Sequence, residues 1–136
     1  MPFSVRVNEA KNIVTLVCWG DISVDDMMEY ERRYWGGPEH EGFHHIVDLQ
    51  VANLKIDYNQ GLMLATHATP ANLDAYKGAR SALVVGNEET EIMCEAYRDA
   101  RHAMCHPSIR EIGVFQDMEQ ARLWLEESAV IRAHQD

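Results

Sequence analysis

The residues of this sequence that most suggest a chemical site are its seven histidines. His102 and His106 are four residues apart, a spacing that on a helix can place two imidazoles on one metal ion. Cys105 lies about 100° away around such a helix, and Pro107 indicates that the helix is ending there. We therefore predict no metal site, and we interpret the two histidines as a solvated helix end, where the helix dipole favours imidazolium.

A second histidine pair, His44 and His45, enters an apolar stretch that is typical of a strand. Neighbouring residues of a strand point to opposite faces of the sheet, so at most one of these two imidazoles can reach a shared ligand. We predict that both side chains pack at the surface or at the edge of the sheet.

The sequence shows no residue pattern that indicates a catalytic site. It contains no GxSxG elbow, no HExxH helix and no GxxxxGK[ST] phosphate loop. Its cysteines, Cys18, Cys94 and Cys105, form an odd and widely spaced set, which is neither a disulfide framework nor a CxxC metal pattern. We expect reduced and mostly buried thiols of low reactivity. The sequence therefore predicts a protein that is not an enzyme and that has no cofactor.

The length, charge and hydropathy of the chain limit its class and the partners that it can bind. A chain of 136 residues, 46% of them apolar, is enough to build one core. Its 22 acidic and 12 basic residues give a formal charge of −10, which repels phosphate backbones, so we expect no nucleic-acid partner. No stretch approaches the roughly 20 apolar residues that span a bilayer, and no basic segment followed by an apolar run opens the chain. We expect no transmembrane segment and a cytoplasmic location.

The first elements are predicted by periodicity and capping. Residues 3–7 and 13–19 alternate or run apolar on either side of turn residues, which predicts an opening β-hairpin. Ser23 and Asp26 have the spacing of a capping box, and apolar residues recur at helical spacing after them. We predict a first helix over residues 24–35, ended by Gly36-Gly37-Pro38.

The remaining elements alternate between strand and helix. Apolar, β-branched runs of strand length predict buried strands, and Asp or Asn followed three residues later by a polar residue predicts helix starts. The predicted elements are a strand at 43–49, a helix at 58–68 entered through Asp57, a strand at 81–85, a long helix from Asn87 to near Pro107, a strand at 112–115 and a short helix after Asp117. The order β-β-α-β-α-β-α-β-α predicts one α/β domain over residues 1–128, in which an antiparallel hairpin precedes parallel strands, with a tail at 129–136.

This pattern resembles the sporulation anti-sigma-factor-antagonist-like (STAS-related) group of small bacterial proteins over nearly the whole chain. The hairpin, the Val47-Asp48-Leu49 strand end, the helix entered through Asp57 and the final strand and helix at 114–125 carry the resemblance. It implies a regulatory protein-interaction or small-ligand module. Phospho-regulated members present a serine just after an aspartate and shortly before a glycine, which Asp57 and Gly61 match. The serine is missing: Tyr58 stands there when counting forward from Asp57, and Asn59 or Gln60 when counting back from Gly61. The resemblance therefore does not imply a serine phospho-switch here.

Two hypotheses of function follow, from different classes. In parallel α/β sheets the carboxyl ends of the strands gather at one rim, which is the default place for binding. The first hypothesis is that a protein partner, or a second copy of the chain, docks at this rim. An alternative homodimer pairs through an exposed first strand. The rim residues are Asp21, Asp57, Tyr58, Asn59 and Asn87. The second hypothesis is an apolar or lipid-like small molecule held between sheet and helices by Met27, Met28, Tyr34, Trp35, Met63 and Tyr97.

Overall fold

The computed structural model describes residues 2–35, 42–67, 78–104 and 110–135. Its elements, in chain order, are β1 (Phe3–Asn8), β2 (Ile13–Ser23), α1 (Val24–Tyr30), a π-helical segment (Glu31–Trp35), β3 (His44–Lys55), α2 (Tyr58–His67), β4 (Ala79–Val85), α3 (Glu88–Met104), β5 (Arg110–Phe115) and α4 (Met118–Gln135). The predicted order of strands and helices is confirmed.

The five strands form one sheet in the order β1-β2-β3-β4-β5. β1 pairs antiparallel with β2, and every later pair is parallel. The opening hairpin followed by parallel strands is therefore confirmed, and β1 is an edge strand of this sheet. Each parallel pair is joined by a helical crossover between adjacent strands. Right-handed connections of this kind place α1, α2 and α3 on one face of the sheet.

The two faces of the sheet carry separate cores. Tyr30 of α1 and Cys94 of α3 pack with apolar residues of all five strands on one face. On the other face, Ala121 and Leu125 of α4 pack against a smaller set from β3 and β4. Arg80 of β4 holds α4 against the sheet through two contacts with Trp124. Its Nη1 donates to the Trp124 carbonyl at 2.7 Å, and its guanidinium lies 4.6 Å from the centre of the Trp124 ring.

The capping boxes read from the sequence are present. Ser23 and Asp26 bond reciprocally at the start of α1. Asp57 and Gln60 do the same at the start of α2, with distances of 2.8 Å and 3.0 Å between the bonded atoms. Asn87 accepts the backbone N–H of Thr90 at the start of α3. These side chains predict the helix starts correctly because they accept hydrogen bonds from backbone N–H groups that have no partner within the helix.

Two strand ends were predicted wrongly. β3 continues to Lys55 rather than stopping at Leu49, and β2 continues to Ser23, so that Trp19–Ser23 pairs with Val51–Lys55. The two strands extend beyond β4, whose pairing with β3 ends at Leu49 and Val85. The extension mixes apolar residues such as Ile22 and Leu54 with polar ones, because only the inner face of this ribbon is buried, so it contains no continuous apolar run.

Four smaller boundaries also differ from the prediction. The first helix is α-helical only as far as Tyr30 and then continues as the π-helical segment. β4 begins at Ala79 and β5 at Arg110, each two residues before its predicted start. α4 is not short: it runs to Gln135, through residues 129–135 that were assigned to a tail. None of the helices in the described part of the chain is long and apolar enough to cross a membrane.

Candidate functional site

A cavity that is partly open to the surface lies between the sheet and the three helices that cover its larger core. Its volume is about 60 Å³. α1 and the first residue of the π-helical segment form one wall, β3 and β4 form the floor, and α2 and α3 close the remaining sides. The lining residues are Met27, Tyr30, Glu31, Val47, Leu49, Leu54, Ile56, Gly61, Leu64, Leu83, Met93, Cys94 and Tyr97.

Glu31 is the one acidic residue of this lining, and it stands where α1 changes into the π-helical segment. The hydroxyl of Tyr97 donates to Glu31 Oε1 at 3.2 Å. Burial raises the pKa of the Glu31 carboxyl to about 7, although the Tyr97 hydrogen bond and the Arg101 guanidinium both act to lower it. The low polarity around this carboxyl therefore favours its protonated form more than water does.

Two further groups control the surroundings of Glu31. Burial raises the pKa of Tyr97 well above its ordinary value, so this side chain stays protonated and remains a hydrogen-bond donor. Arg101, one helical turn further along α3, is only 2% exposed. Its Nη1 donates to the carbonyl of Ala65 in α2 at 2.8 Å, and its Nε has no hydrogen-bond acceptor among the described residues. No ion pair within 4.0 Å joins Arg101 to Glu31 in the described part of the chain.

The predicted pocket residues are only partly brought together. Met27 and Tyr97 line the cavity. Tyr34 packs against the same core and stacks on Tyr30, with 5.7 Å between ring centres, but it is not part of the lining. Met28 is half-buried outside the cavity, and Met63 is 37% exposed. The side chain of Trp35 falls outside the described part of the structure.

The predicted rim residues lie on or next to three elements, and their role in binding stays a prediction. Asp21 lies inside β2, not in a loop, and its Oδ1 is 3.5 Å from Nδ2 of Asn53 on β3. Asp57 caps α2, while Tyr58 and Asn59 are exposed at its first turn. Asn87 lines one polar cleft with Gln50, Gly86 and Gln116, and a second cleft with Asn53, Lys55 and Ile56, the residues that lead into Asp57.

Three of the histidines form hydrogen bonds within the fold. His45 is fully buried and its Nδ1 bonds the hydroxyl of Tyr30, while His44 is 4% exposed and its Nδ1 accepts the backbone N–H of Arg80 at 2.9 Å. The prediction that both pack at the surface or edge is wrong, although their opposite facing is as expected. His102 Nε2 accepts the N–H of Ile112 at 3.0 Å, and burial lowers the pKa of His102. The predicted imidazolium at His102 is therefore wrong, because an acceptor nitrogen must be unprotonated.

Metal and thiol chemistry find no support among the described residues. No group of three or more metal-ligating side chains comes together there; His106 and Cys105 lie outside the described ranges. Cys18 and Cys94 are free and buried, as expected, and burial raises the pKa of each thiol to about 12. Both therefore stay protonated at neutral pH and pack as small apolar groups.

The sequence analysis missed two charged residues near this cavity. Glu31 lines it and Arg101 does not, and charged side chains are ordinarily assigned to the surface. One signal was available: Met93, Tyr97 and Arg101 recur at intervals of four residues, which places the arginine on the buried face of α3.

The topology and the two separate cores define a class of protein: the chain has a SpoIIAA-like fold, as the sequence resemblance predicted. A particular solved structure supports this assignment. The chain is similar to an uncharacterized protein from the DUF3478 family with a SpoIIAA-like fold from Shewanella loihica PV-4, with a TM-score of 0.50 and 15% identity over 90% of this chain and 91% of that chain. At this identity the likeness shows the fold alone. No family model and no curated protein matches the sequence.

Proposed function

We propose that this protein is a non-catalytic, cytoplasmic binding module that holds a small apolar or lipid-like molecule in its interior cavity. The cavity itself carries the proposal. It is large by comparison with the roughly 10–15 Å³ that one water molecule needs by the same measure, and its lining is mainly aliphatic and aromatic. A space of this kind offers a water molecule few hydrogen bonds, so an apolar guest is its natural occupant.

The size of the cavity favours a narrow guest. A cavity of about 150 Å³ takes a benzene ring. The cavity here is less than half that volume, at about 60 Å³, and it is partly open to the surface, so it holds part of an aliphatic chain whose remainder extends outside. The two tyrosine hydroxyls on the lining are already bonded, Tyr30 to His45 and Tyr97 to Glu31, so they do not compete for an apolar chain.

Filling the cavity is expected to abolish binding. We expect 1-hexanol, used as a probe, to shift the amide NMR signals of the residues around the cavity. Cys94→Leu places extra methyl groups in this space and should weaken 1-hexanol binding at least about tenfold, equivalent to roughly 1.4 kcal/mol. Cys18→Ala is the matched control, because Cys18 is equally buried without lining the cavity. Native mass spectrometry of freshly purified protein should also show a retained mass.

If 1-hexanol does not bind, or binds the Cys94→Leu variant as tightly as the wild-type protein, the cavity is not the binding site. If Cys18→Ala weakens 1-hexanol binding to the same extent, the loss of binding results from a general loosening of the core.

A second candidate function, docking of a protein partner or of a second copy, is favoured by Tyr58. This aromatic residue is 60% exposed at the first turn of α2. Exposed tyrosines are enriched at binding hot spots because they bury a large area with little loss of side-chain entropy. The reciprocal bonds of Asp57 and Gln60 hold the turn that presents it.

Replacing Tyr58 is expected to prevent capture of this partner. In a pull-down from the native host, Tyr58→Ala should lose the protein that the wild type retains, or lose the dimer peak in native mass spectrometry. Ile92→Ala is the control, because Ile92 of α3 is also 60% exposed. The same partners captured by wild type and Tyr58→Ala would contradict this candidate. We use Tyr58 rather than Asp57 because loss of the Asp57 cap costs about 1 kcal/mol of stability.

A further inference from the structure

We propose that the ligand of the cavity is an amphipathic molecule with an uncharged head group. Its aliphatic chain lies in the cavity, and its head, which both donates and accepts hydrogen bonds, lies in a polar cleft beside the cavity. This inference rests on the proposed function, since it names the class of molecule that the cavity takes. Fatty amides and monoacylglycerols share the required chemistry.

The polar cleft lies between the end of β3 and the start of α3, and its volume is about 100 Å³. We call it the head-group cleft. Leu54, Ile56 and Met93 line both this cleft and the cavity, so the two spaces adjoin at these three residues. Met93 can move aside for a chain, because methionine has three flexible side-chain bonds. A chain that leaves the cavity past these residues therefore enters the cleft. The remaining residues of the cleft lining are Asn53, Lys55, Asn87, Glu89 and Thr90.

One wall of the head-group cleft is a free edge of β3. β3 pairs with β4 only as far as Leu49, whereas its pairing with β2 continues to Lys55. Beyond Leu49, the side of β3 that faces away from β2 has no strand neighbour in the described structure, and such an edge presents unpaired backbone N–H and C=O groups. Outside the regular strand and helix pairing, no backbone–backbone hydrogen bond among the described residues reaches Asn53, Leu54 or Lys55. A head group that has both donors and acceptors can therefore bond this edge.

The charged residues of the cleft lining favour an uncharged head. Lys55 and Glu89 are of opposite sign, and both residues are exposed. An ionised head of either sign meets one group that attracts it and one that repels it, so it gains little to offset the loss of its own hydration. The formal charge of −10 on the chain adds a further repulsion for a carboxylate. A neutral head loses less hydration when it enters the cleft, and it keeps its hydrogen bonds there.

Four probes with the same six-carbon chain test the head group. The full-length protein is titrated with hexanamide, 1-hexanol, hexanoate and hexylamine at about pH 7.5, where the acid and the amine are ionised. We expect hexanamide to bind at least about fivefold more tightly than each of the other three. The reason is that its amide offers two N–H donors and one acceptor oxygen to the backbone edge of β3.

Two tryptophan variants test where the head lies. Glu89→Trp should weaken hexanamide binding at least about fivefold and change 1-hexanol binding less than about twofold, because Glu89 lines the head-group cleft but not the cavity. Glu88→Trp is the matched control and should leave hexanamide binding unchanged. Glu88 is also an exposed acidic residue in the first turn of α3, but it lines the other polar cleft. In amide NMR spectra, hexanamide should shift the signals of Leu54 and Lys55 more than 1-hexanol does.

Each contrary result has a distinct meaning. If hexanamide and 1-hexanol bind equally tightly, both to the wild type and to Glu89→Trp, the head-group inference is wrong while the apolar cavity function stands. Tighter binding of hexanoate or hexylamine than of hexanamide also contradicts the inference, because the preferred head would then be charged. If Glu88→Trp weakens hexanamide binding as much as Glu89→Trp does, the head does not lie in this cleft. If none of the four probes binds, the proposed function fails and this inference fails with it.

Discussion

Gly86→Ala is expected to lower the free energy of unfolding by about 3 kcal/mol, at or above the upper end of ordinary overpacking effects. A Cβ atom at this position would lie 2.1 Å from the carbonyl oxygen of Gln50, and also within 3.1 Å of two other backbone atoms of Gln50. Backbone cannot rotate aside as the end of a flexible side chain can. The measurement is the midpoint of urea unfolding followed by circular dichroism, together with its slope.

The cause of this close approach is an irregularity in β3. Val17 pairs with Asp48 and Trp19 with Val51, so Leu49 and Gln50 together lie opposite Cys18 alone. The extra residue is a β-bulge, which locally bends the strand. It directs the Gln50 carbonyl towards the chain leaving β4, and only a residue without a side chain fits there.

Gly61→Ala is the matched control for this prediction. Gly61 lies inside α2, and its Cβ would meet the Met93 sulfur at 3.4 Å, an ordinary contact distance. Alanine is favoured over glycine in a helix interior by about 0.5–1 kcal/mol, so this variant should be at least as stable as the wild type. Wild-type stability of Gly86→Ala would mean that the two strand ends do not meet as described.

The order of the elements could be predicted because its signals are local. A capping residue such as Ser23 or Asp57 satisfies backbone groups within one turn. A buried strand such as β4 contains an apolar run that can be recognised without knowing its partner strand. The bulge in β3 and the extension of β2 and β3 depend on pairing between strands about 30 residues apart. The mixed apolar and polar residues of these segments do not indicate this pairing locally.

The cavity could be predicted only in part. Met27 and Tyr97 were identified because apolar residues at helical spacing face the core. Glu31 was not, because it is charged, although it follows Met27 by four residues and so falls on the same helical face. Met28 and Trp35 were assigned to the pocket by the same rule, which places a residue on a face of the helix but not against a particular cavity.

Glu31→Gln is expected to stabilise the protein at about pH 8 by about 2 kcal/mol and to leave its stability nearly unchanged at about pH 4. The pKa of Glu31 is about 7 in the folded protein and roughly 4.3 in an unfolded chain. Between these values the native state binds more protons than the unfolded state, so the contribution of Glu31 to stability falls as pH rises through this window. Below it both states are protonated and the carboxyl is neutral, as glutamine is at every pH.

The measurement is the difference in urea unfolding free energy between Glu31→Gln and the wild type across this pH range, because other carboxyl groups titrate in both proteins and cancel. Glutamine keeps an oxygen that can accept from Tyr97. A difference that does not change between pH 4 and pH 8 would show that Glu31 is not a buried carboxyl with a raised pKa.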